Sequence, residues 1–282
     1  MSKRSFGWNE SKYERYRKEH RGEGAKENYI PWLNIQDFPS RGRVARVSGI
    51  KTKRMHCLFS SLEINTFYLF DWSKKIIDIR EQFPLLEVDE TIEIAKTLGI
   101  AYPYDRESKF PIVMTTDFLL TVEKEDGLYS IARTVKPSSV LDEKRVIEKF
   151  EVERLYWAER NVDWGIVTEK EIPMDIVKNI QLFHSRYDYK IEGISCSDFG
   201  IIVTHLKQFL VSRGENAIQQ SCFEFDKINS FPKGTSINMF RYLVARNELV
   251  VNLTVPIDFK SSFNSIVSVP SEGSGGYRYD IC

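Results

Sequence analysis

The period of apolar positions changes several times along the chain, and each change marks an element. Ser60–Trp72 carries Glu63, Phe67 and Phe70 at i, i+4 and i+7, one face of a helix, with Ser60 or Ser61 placed to cap it. Ile76–Ile79 reads as a short strand leading into Arg80–Pro84, and Thr91–Leu98 as a short helix ended by Gly99. Ile112–Val122 and Leu128–Val135 are β-branched apolar runs joined across Asp126-Gly127, a strong short-range hairpin signal. Asp142–Arg160 predicts a long helix, with Val146, Phe150, Glu153 and Trp157 on one stripe, followed by a buried strand at Trp164–Thr168. Helix, strand, hairpin, helix, strand is the order of a small mixed α/β sheet flanked by helices.

The flanking segments read differently. Glu10–His20 is charged almost throughout, with Tyr13 and Tyr16 interleaved, and Arg21-Gly-Glu-Gly24 breaks it. Tyr29-Ile-Pro-Trp-Leu33 is a small apolar cluster, Pro39-Ser-Arg-Gly42 another break, and Val44–Leu58 a basic hairpin around Ser48-Gly49. After Glu171 helices dominate: Asp175–Phe183, Ser197–Arg213, Ala217–Lys227 and Ser236–Ala245, closing with an alternating strand at Leu249–Val255. The pattern therefore divides into a basic arm and hairpin (1–56), a catalytic-type α/β domain (57–171), a mostly helical, winged-helix-like module (172–264) and a Ser/Gly-rich flexible tail (265–282).

Charge sharpens this division. The 282 residues sum to zero net charge, yet residues 1–56 hold 14 Lys/Arg against 6 Asp/Glu, residues 57–171 hold 15 against 23, and the remainder is balanced. A basic arm suits a polyanion, with a solvated tail as the plain alternative. Arg41, Arg43, Arg46, Lys51, Lys53 and Arg54 directly precede the helix carrying Glu63 and are the candidates for DNA-backbone contact. The 42 % hydrophobic content supports a packed core, no apolar run reaches the ~20 residues that span a bilayer, and the charged start lacks a signal-peptide core. Four scattered cysteines without a Cys-x-x-Cys pair fit a reducing cytoplasm, and the absence of a phosphate-binding Gly-Lys-Ser/Thr loop argues against nucleotide binding.

The candidate chemistry lies in the hairpin. A two-residue turn at Asp126-Gly127 pairs Glu125 with Leu128 and sets Asp117 directly opposite Lys136, with Thr134 on the same face. Alone, this is an ordinary cross-strand ion pair, worth about 0–1 kcal/mol if exposed. Glu63 and Glu153 alter the picture, because each is a carboxylate within an apolar stripe and costly to bury without a cation. For Glu153 a charge snorkelling at the stripe's edge is equally open. Hard oxygen ligands beside a lysine fit Mg2+, with Mn2+ as a substitute, and phosphodiester hydrolysis.

Several stretches resemble the TnsA family, endonuclease subunits of heteromeric transposases from Tn-seven-type transposons. They are Arg21-Gly-Glu-Gly24, Tyr29-Ile-Pro-Trp-Leu33, Ser61-Leu-Glu63, Asp78-Ile-Arg-Glu-Gln-Phe-Pro-Leu-Leu86, Met114-Thr-Thr-Asp-Phe-Leu119, Val135-Lys-Pro137 and Glu153-Arg-Leu-Tyr-Trp157. The resemblance implies a restriction-endonuclease-like domain followed by a winged-helix-like one, cutting transposon 5′ ends beside a TnsB-type transposase and a TnsC-type ATP-dependent regulator. It implies Glu63 and Asp117 as metal-binding carboxylates, Lys136 as the catalytic lysine and Glu153 as a further acidic position. Thr134 stands where the family usually has Gln or an acid, so the third metal oxygen is left open among Thr134, the Val135 carbonyl and compensation by Glu153. Arg80 and Gln82 lie in the longest matching run, with phosphate contact and, for Arg80, a structural ion pair as competing readings. A non-catalytic scaffold subunit and a stand-alone nuclease are the alternatives to the transposase endonuclease.

Overall fold

The structure, a computed structural model, describes residues 7–37 and 43–269. The chain divides into two compact units between Ile172 and Pro173.

In the first unit, α1 (Glu10–Lys18) precedes a hairpin of β1 (Ala45–Ser48) and β2 (Met55–Leu58), which leads into α2 (Ser61–Trp72). Ser60 caps α2, its Oγ accepting from the Glu63 amide at 3.1 Å. Next come β3 (Ile76–Pro84), α3 (Val88–Thr97), β4 (Thr115–Lys124), β5 (Gly127–Val135), α4 (Lys144–Ala158) and β6 (Asp163–Val167). The sheet runs β3-β4-β5-β6, antiparallel except for β5 and β6, which are parallel and joined through α4.

Alternation along the strands builds two apolar layers. On one face Phe118, Leu120, Val122, Ile131 and Val135 meet Phe67 and Phe70 of α2 together with Leu58 of the hairpin. On the other, Leu119 and Ala132 meet Val152, Tyr156 and Trp157 of α4 and Ile94 and Ala95 of α3. Each fully buried Phe or Leu of this kind contributes roughly 1.5–3 kcal/mol. The mixed sheet flanked by helices is the α/β architecture that the residue pattern implied, and the restriction-endonuclease-like one that the family resemblance implied.

Three details depart from the sequence reading. First, the hairpin register is displaced by two residues: Lys124 pairs with Gly127, and Glu125-Asp126 forms the turn. A primed two-residue turn on Asp126-Gly127 would need positive φ at Asp126, whereas only Gly127, at φ 146°, takes it, one position past the turn. A slip of two preserves the face, where a slip of one would have inverted it.

Second, the described part of the N-terminal segment is a docked part of the first unit. Tyr16 and Trp32 are buried with rings edge-to-face at 5.3 Å, and Trp8 Nε1 donates to the Pro111 carbonyl at 2.8 Å. The aromatic residues between the charges make that face, while the charged heads reach water. Arg21 stacks 3.6 Å from the Tyr16 ring centre and pairs with Asp37 at 2.7 Å.

Third, the second unit packs α5 (Met174–His184), α6 (Cys196–Ser212), α7 (Ile218–Ile228) and α8 (Thr235–Ala245), but its strands are short. β7 is only Val250–Val251, paired with β8 (Val267–Ser268), which follows the single turn α9 (Phe263–Ile266). Asn179 of α5 donates to the carbonyls of Leu253 and Val255 at 2.8 Å each, so that backbone is satisfied by a side chain instead of a ladder. Residues 265–269 belong to this packed unit, with Val267 buried, and the rest of the tail lies outside the described residues. Among the described residues, no helix is long and apolar enough to cross a membrane.

Candidate active site

Glu63 sits in the first turn of α2, its carboxylate buried and folded back over the helix start. Oε2 accepts from the Phe59 amide at 3.0 Å and, at 3.4 Å, from Nε2 of Gln82. Burial, then the nearby Asp117 charge, pushes the Glu63 carboxyl up to about 7, against the Phe59 and Ser60 hydrogen bonds and, least of these, the Lys136 ammonium. Two carboxylates held together in a largely buried place carry more negative charge than one lysine relieves.

Asp117 lies just past the last ladder pair of β4 and β5, Phe118 with Arg133. Where the ladder stops, its side chain takes over: Oδ2 accepts from the Val135 amide at 2.7 Å and from Lys136 Nζ at 3.4 Å. Lys136, at the end of β5, has a side chain 39 % exposed, so its ammonium is anchored at Asp117 and open to solvent. Asp117 raises its pKa most; burial opposes, and Glu63 adds to the rise. The displaced register thus still brings Glu63, Asp117 and Lys136 together.

Glu153 of α4 forms a second, adjoining group. Its Oε1 gathers three donors: Thr116 Oγ1 at 2.7 Å, Thr134 Oγ1 at 2.5 Å and Trp164 Nε1 at 3.0 Å. Trp157 Nε1 in turn donates to Thr116 Oγ1 at 2.7 Å. Burial pushes the Glu153 carboxyl up to about 7, and the three donors hold it from rising further. The snorkelling alternative fails here, since the residue is only 3 % exposed. Thr134 is tied to Glu153 rather than to the Glu63–Asp117 pair, and Val135 touches that pair through its amide. Among the described residues no group of three or more His, Cys, Asp or Glu side chains converges as a metal site.

The sequence reading missed Thr116, Trp164 and the orientation of Gln82. Thr116 and Gln82 sit inside the two most informative stretches, next to Asp117 and Glu81, but nothing in residue type alone shows which way they turn.

The basic candidates scatter in role. Arg54 directs its guanidinium inward, to both oxygens of Glu81 at 2.8 and 2.5 Å and to the carbonyls of Ile79 and Lys26. With four of its five N–H donors so engaged, Arg54 acts as an internal cation and not a backbone clamp. Lys51 is partly buried, and burial lowers its pKa against the pull of Asp71. Arg43, Arg46 and Lys53 are exposed, and Arg41 falls outside the described residues. Arg80 lies 3.6 Å from Asp78, the structural ion pair of the two readings.

Comparison with known proteins now adds to this geometry. A family model described as TnsA-like endonuclease N terminal matches residues 73–169, and one described as TnsA endonuclease C terminal matches residues 171–253. The Transposon Tn7 transposition protein TnsA of Escherichia coli is 36 % identical over 254 residues, covering 90 % of this chain and 90 % of that protein. The chain belongs to the TnsA endonuclease family. The seam between the two family models, at 169 and 171, falls beside the seam between the compact units. The N-terminal TnsA match spans β3 to β6 and contains Asp117, Lys136 and Glu153. Glu63 precedes that match, so its placement beside Asp117 rests on its contacts with Phe59 and Gln82 and on the electrostatic influence of Asp117.

Proposed function

We propose that this TnsA-family protein is the Mg2+-dependent endonuclease subunit of a heteromeric transposase, cutting the 5′ strand at each transposon end. It would work in the bacterial cytoplasm beside a TnsB-type transposase that processes the 3′ ends and a TnsC-type ATP-dependent regulator. The observation that supports this most is the grouping of Glu63, Asp117 and Lys136 at the open end of the β4–β5 ladder, with two carboxylates raising each other's electrostatic cost.

The donor set fits a divalent cation. Glu63 Oε2 is held by the Phe59 amide and Asp117 Oδ2 by the Val135 amide, which leaves Glu63 Oε1 and Asp117 Oδ1 as the candidate ligand oxygens. These two oxygens would hold the ion, with the Val135 carbonyl as the candidate third, because Thr134 is engaged by Glu153. When bound, the cation lowers the pKa of a water and offsets charge building on the scissile phosphate. Asp117 keeps Lys136 at the site. The ammonium, donating to a phosphate oxygen, stabilises the charge of the pentacovalent transition state. The Phe59 amide and Gln82 orient Glu63. Glu153 anchors Thr116 and Thr134, the residues flanking Asp117 on its own strand and across the sheet.

The test is cleavage of end-labelled transposon-end DNA in Mg2+, with the partner transposase and regulator present. Lys136→Ala is expected to reduce 5′-strand cutting about 10²–10³-fold, as loss of one charge-stabilising donor does, with 3′ processing by the partner retained. Equal 5′ cutting by the variant would remove Lys136 from the chemistry.

Phosphate contact is assigned to Arg43, Arg46 and Lys53. Replacing Arg46 or Lys53 by Ala should flatten the salt dependence of DNA binding, each lost contact lowering the log–log slope by about 1. Arg54→Ala should instead act through stability. An unchanged slope for Arg46→Ala and Lys53→Ala would place the DNA on another face.

A further inference from the structure

The backbone at Gln82 does something that a strand does not require. Gln82 lies inside β3 with φ 49°, the left-handed region that a residue bearing a β-carbon adopts only at an energetic cost. The ladder continues on both sides of it, Glu81 paired with Phe118 and Phe83 with Thr116, in unbroken register. No residue has been inserted, so this is not an ordinary bulge.

Its effect is to invert the alternation of both strands at one place. Glu81 faces His56 and the hairpin side, where Phe118 packs edge-on to Phe70 at 5.5 Å. Two residues on, Phe83 packs 5.8 Å from Trp157, and Thr116 accepts from that same Trp157 on the α4 side. Residues i and i+2 of a regular strand share a face; here they face opposite layers in β3 and in β4 alike. The crossover falls on Gln82 and Asp117, the two residues between those pairs. Gln82 is buried, its carbonyl accepts from the Trp32 amide at 3.3 Å, and its Nε2 points at Glu63 Oε2.

We infer that Gln82 is a positioning residue for the nuclease site: its left-handed backbone turns Asp117 into the site, and its amide orients the Glu63 carboxylate through Oε2. This rests on the reading of Glu63 and Asp117 as the metal-holding pair. Strain that persists at a buried polar residue touching a reactive group is what a site-building role produces, since an Asn or Gly there would cost less. The amide, at 3.4 Å, is within reach of Glu63 Oε2 and would orient the carboxylate towards a cation held with Asp117.

Two variants separate this from a merely structural role. Gln82→Gly removes the β-carbon from a left-handed position and the amide from Glu63. The metal-free protein should melt no lower than wild type, while 5′ cleavage with the partners falls at least 10-fold, in the range seen when a group supporting a metal ligand is lost. Gln82→Met keeps size and β-carbon but lacks the donor. It should need several-fold more Mg2+ for half-maximal cleavage, and Mg2+ should raise its melting temperature less than wild type's. A structural role alone predicts that stability and cleavage fall together with the Mg2+ requirement unchanged, and that pattern overturns the inference. Asp117→Asn, run alongside, separates the two levels. If it is inactive while both Gln82 variants cut and bind Mg2+ as wild type, the positioning role is wrong and the site stands. If Asp117→Asn itself cuts normally, the reading of the site has failed first.

Discussion

Asp117→Asn is expected to lower 5′-strand cleavage by at least about 10³-fold, roughly 4 kcal/mol of transition-state stabilisation, while leaving the metal-free protein as stable as wild type or more so. The two effects share one cause. Asp117 sits close enough to Glu63 to raise its carboxyl towards 7, second only to burial. Replacing it with a neutral isostere removes that repulsion, and the amide oxygen still accepts from Val135, so the ladder's end keeps its bond. Lys136 loses a partner but is exposed enough to be solvated. What Asn cannot supply is the negative charge that holds a divalent cation and anchors the Lys136 ammonium. Melting curves without metal, set beside cleavage of labelled ends, read both effects. The Glu63 carboxyl should also return towards its ordinary value, visible as an acid shift of its titration by NMR. Wild-type cutting by this variant would place the chemistry elsewhere and leave the chain as a scaffold.

The residue pattern carried the elements, and the faces on which Glu63, Asp117 and Lys136 lie, because both are local. Ser60, Glu63, Phe67 and Phe70 follow from helical spacing, and Asp117 and Lys136 from two β-branched runs around a turn. The register error was harmless because a displacement of two leaves each side chain on its face. Orientation was not legible where it depends on tertiary contact. Arg54 looks like any exposed arginine until Glu81, 27 residues away, is seen to take its guanidinium. Thr134, a candidate ligand by position, belongs to Glu153 because β5 keeps its regular alternation while the crossover at Gln82 and Asp117 turns Asp117 away from it to the other layer. Tyr13 and Tyr16 in a charged run signalled a buried face that net charge obscured, and the short β7 reflects Asn179, which satisfies backbone carbonyls from 74 and 76 residues away. In each case the missing information was a partner distant in sequence.

Glu81→Ala should be the most damaging single change to stability, by about 3–5 kcal/mol, because it strands a buried charge network. Glu81 is 1 % exposed, and its two oxygens receive Arg54, the His56 ring at 2.8 Å and the Cys57 amide at 3.1 Å. Without it, the Arg54 guanidinium is left with carbonyls alone and the Cys57 amide has no acceptor. The network extends through His56 Nε2, 2.6 Å from Thr52 Oγ1, to Gly49, where a β-carbon would lie 2.3 Å from that hydroxyl. Burial alone would raise the Glu81 carboxyl, but His56 and Arg54 outweigh it and hold it at about 2, below the ordinary 4.5. A depressed folded-state value stabilises the protein above the unfolded value, and that stabilisation is lost as pH falls from about 4.5 through about 2. The stability gap between wild type and Glu81→Gln, measured by urea unfolding, should therefore be widest near neutrality and should narrow across that window. A gap independent of pH would mean that Glu81 acts by shape alone. The consequence reaches the site, because Glu81 precedes Gln82 and fixes the strand at the point where it turns over. Loss of the network should reduce cleavage even at temperatures where the variant remains folded.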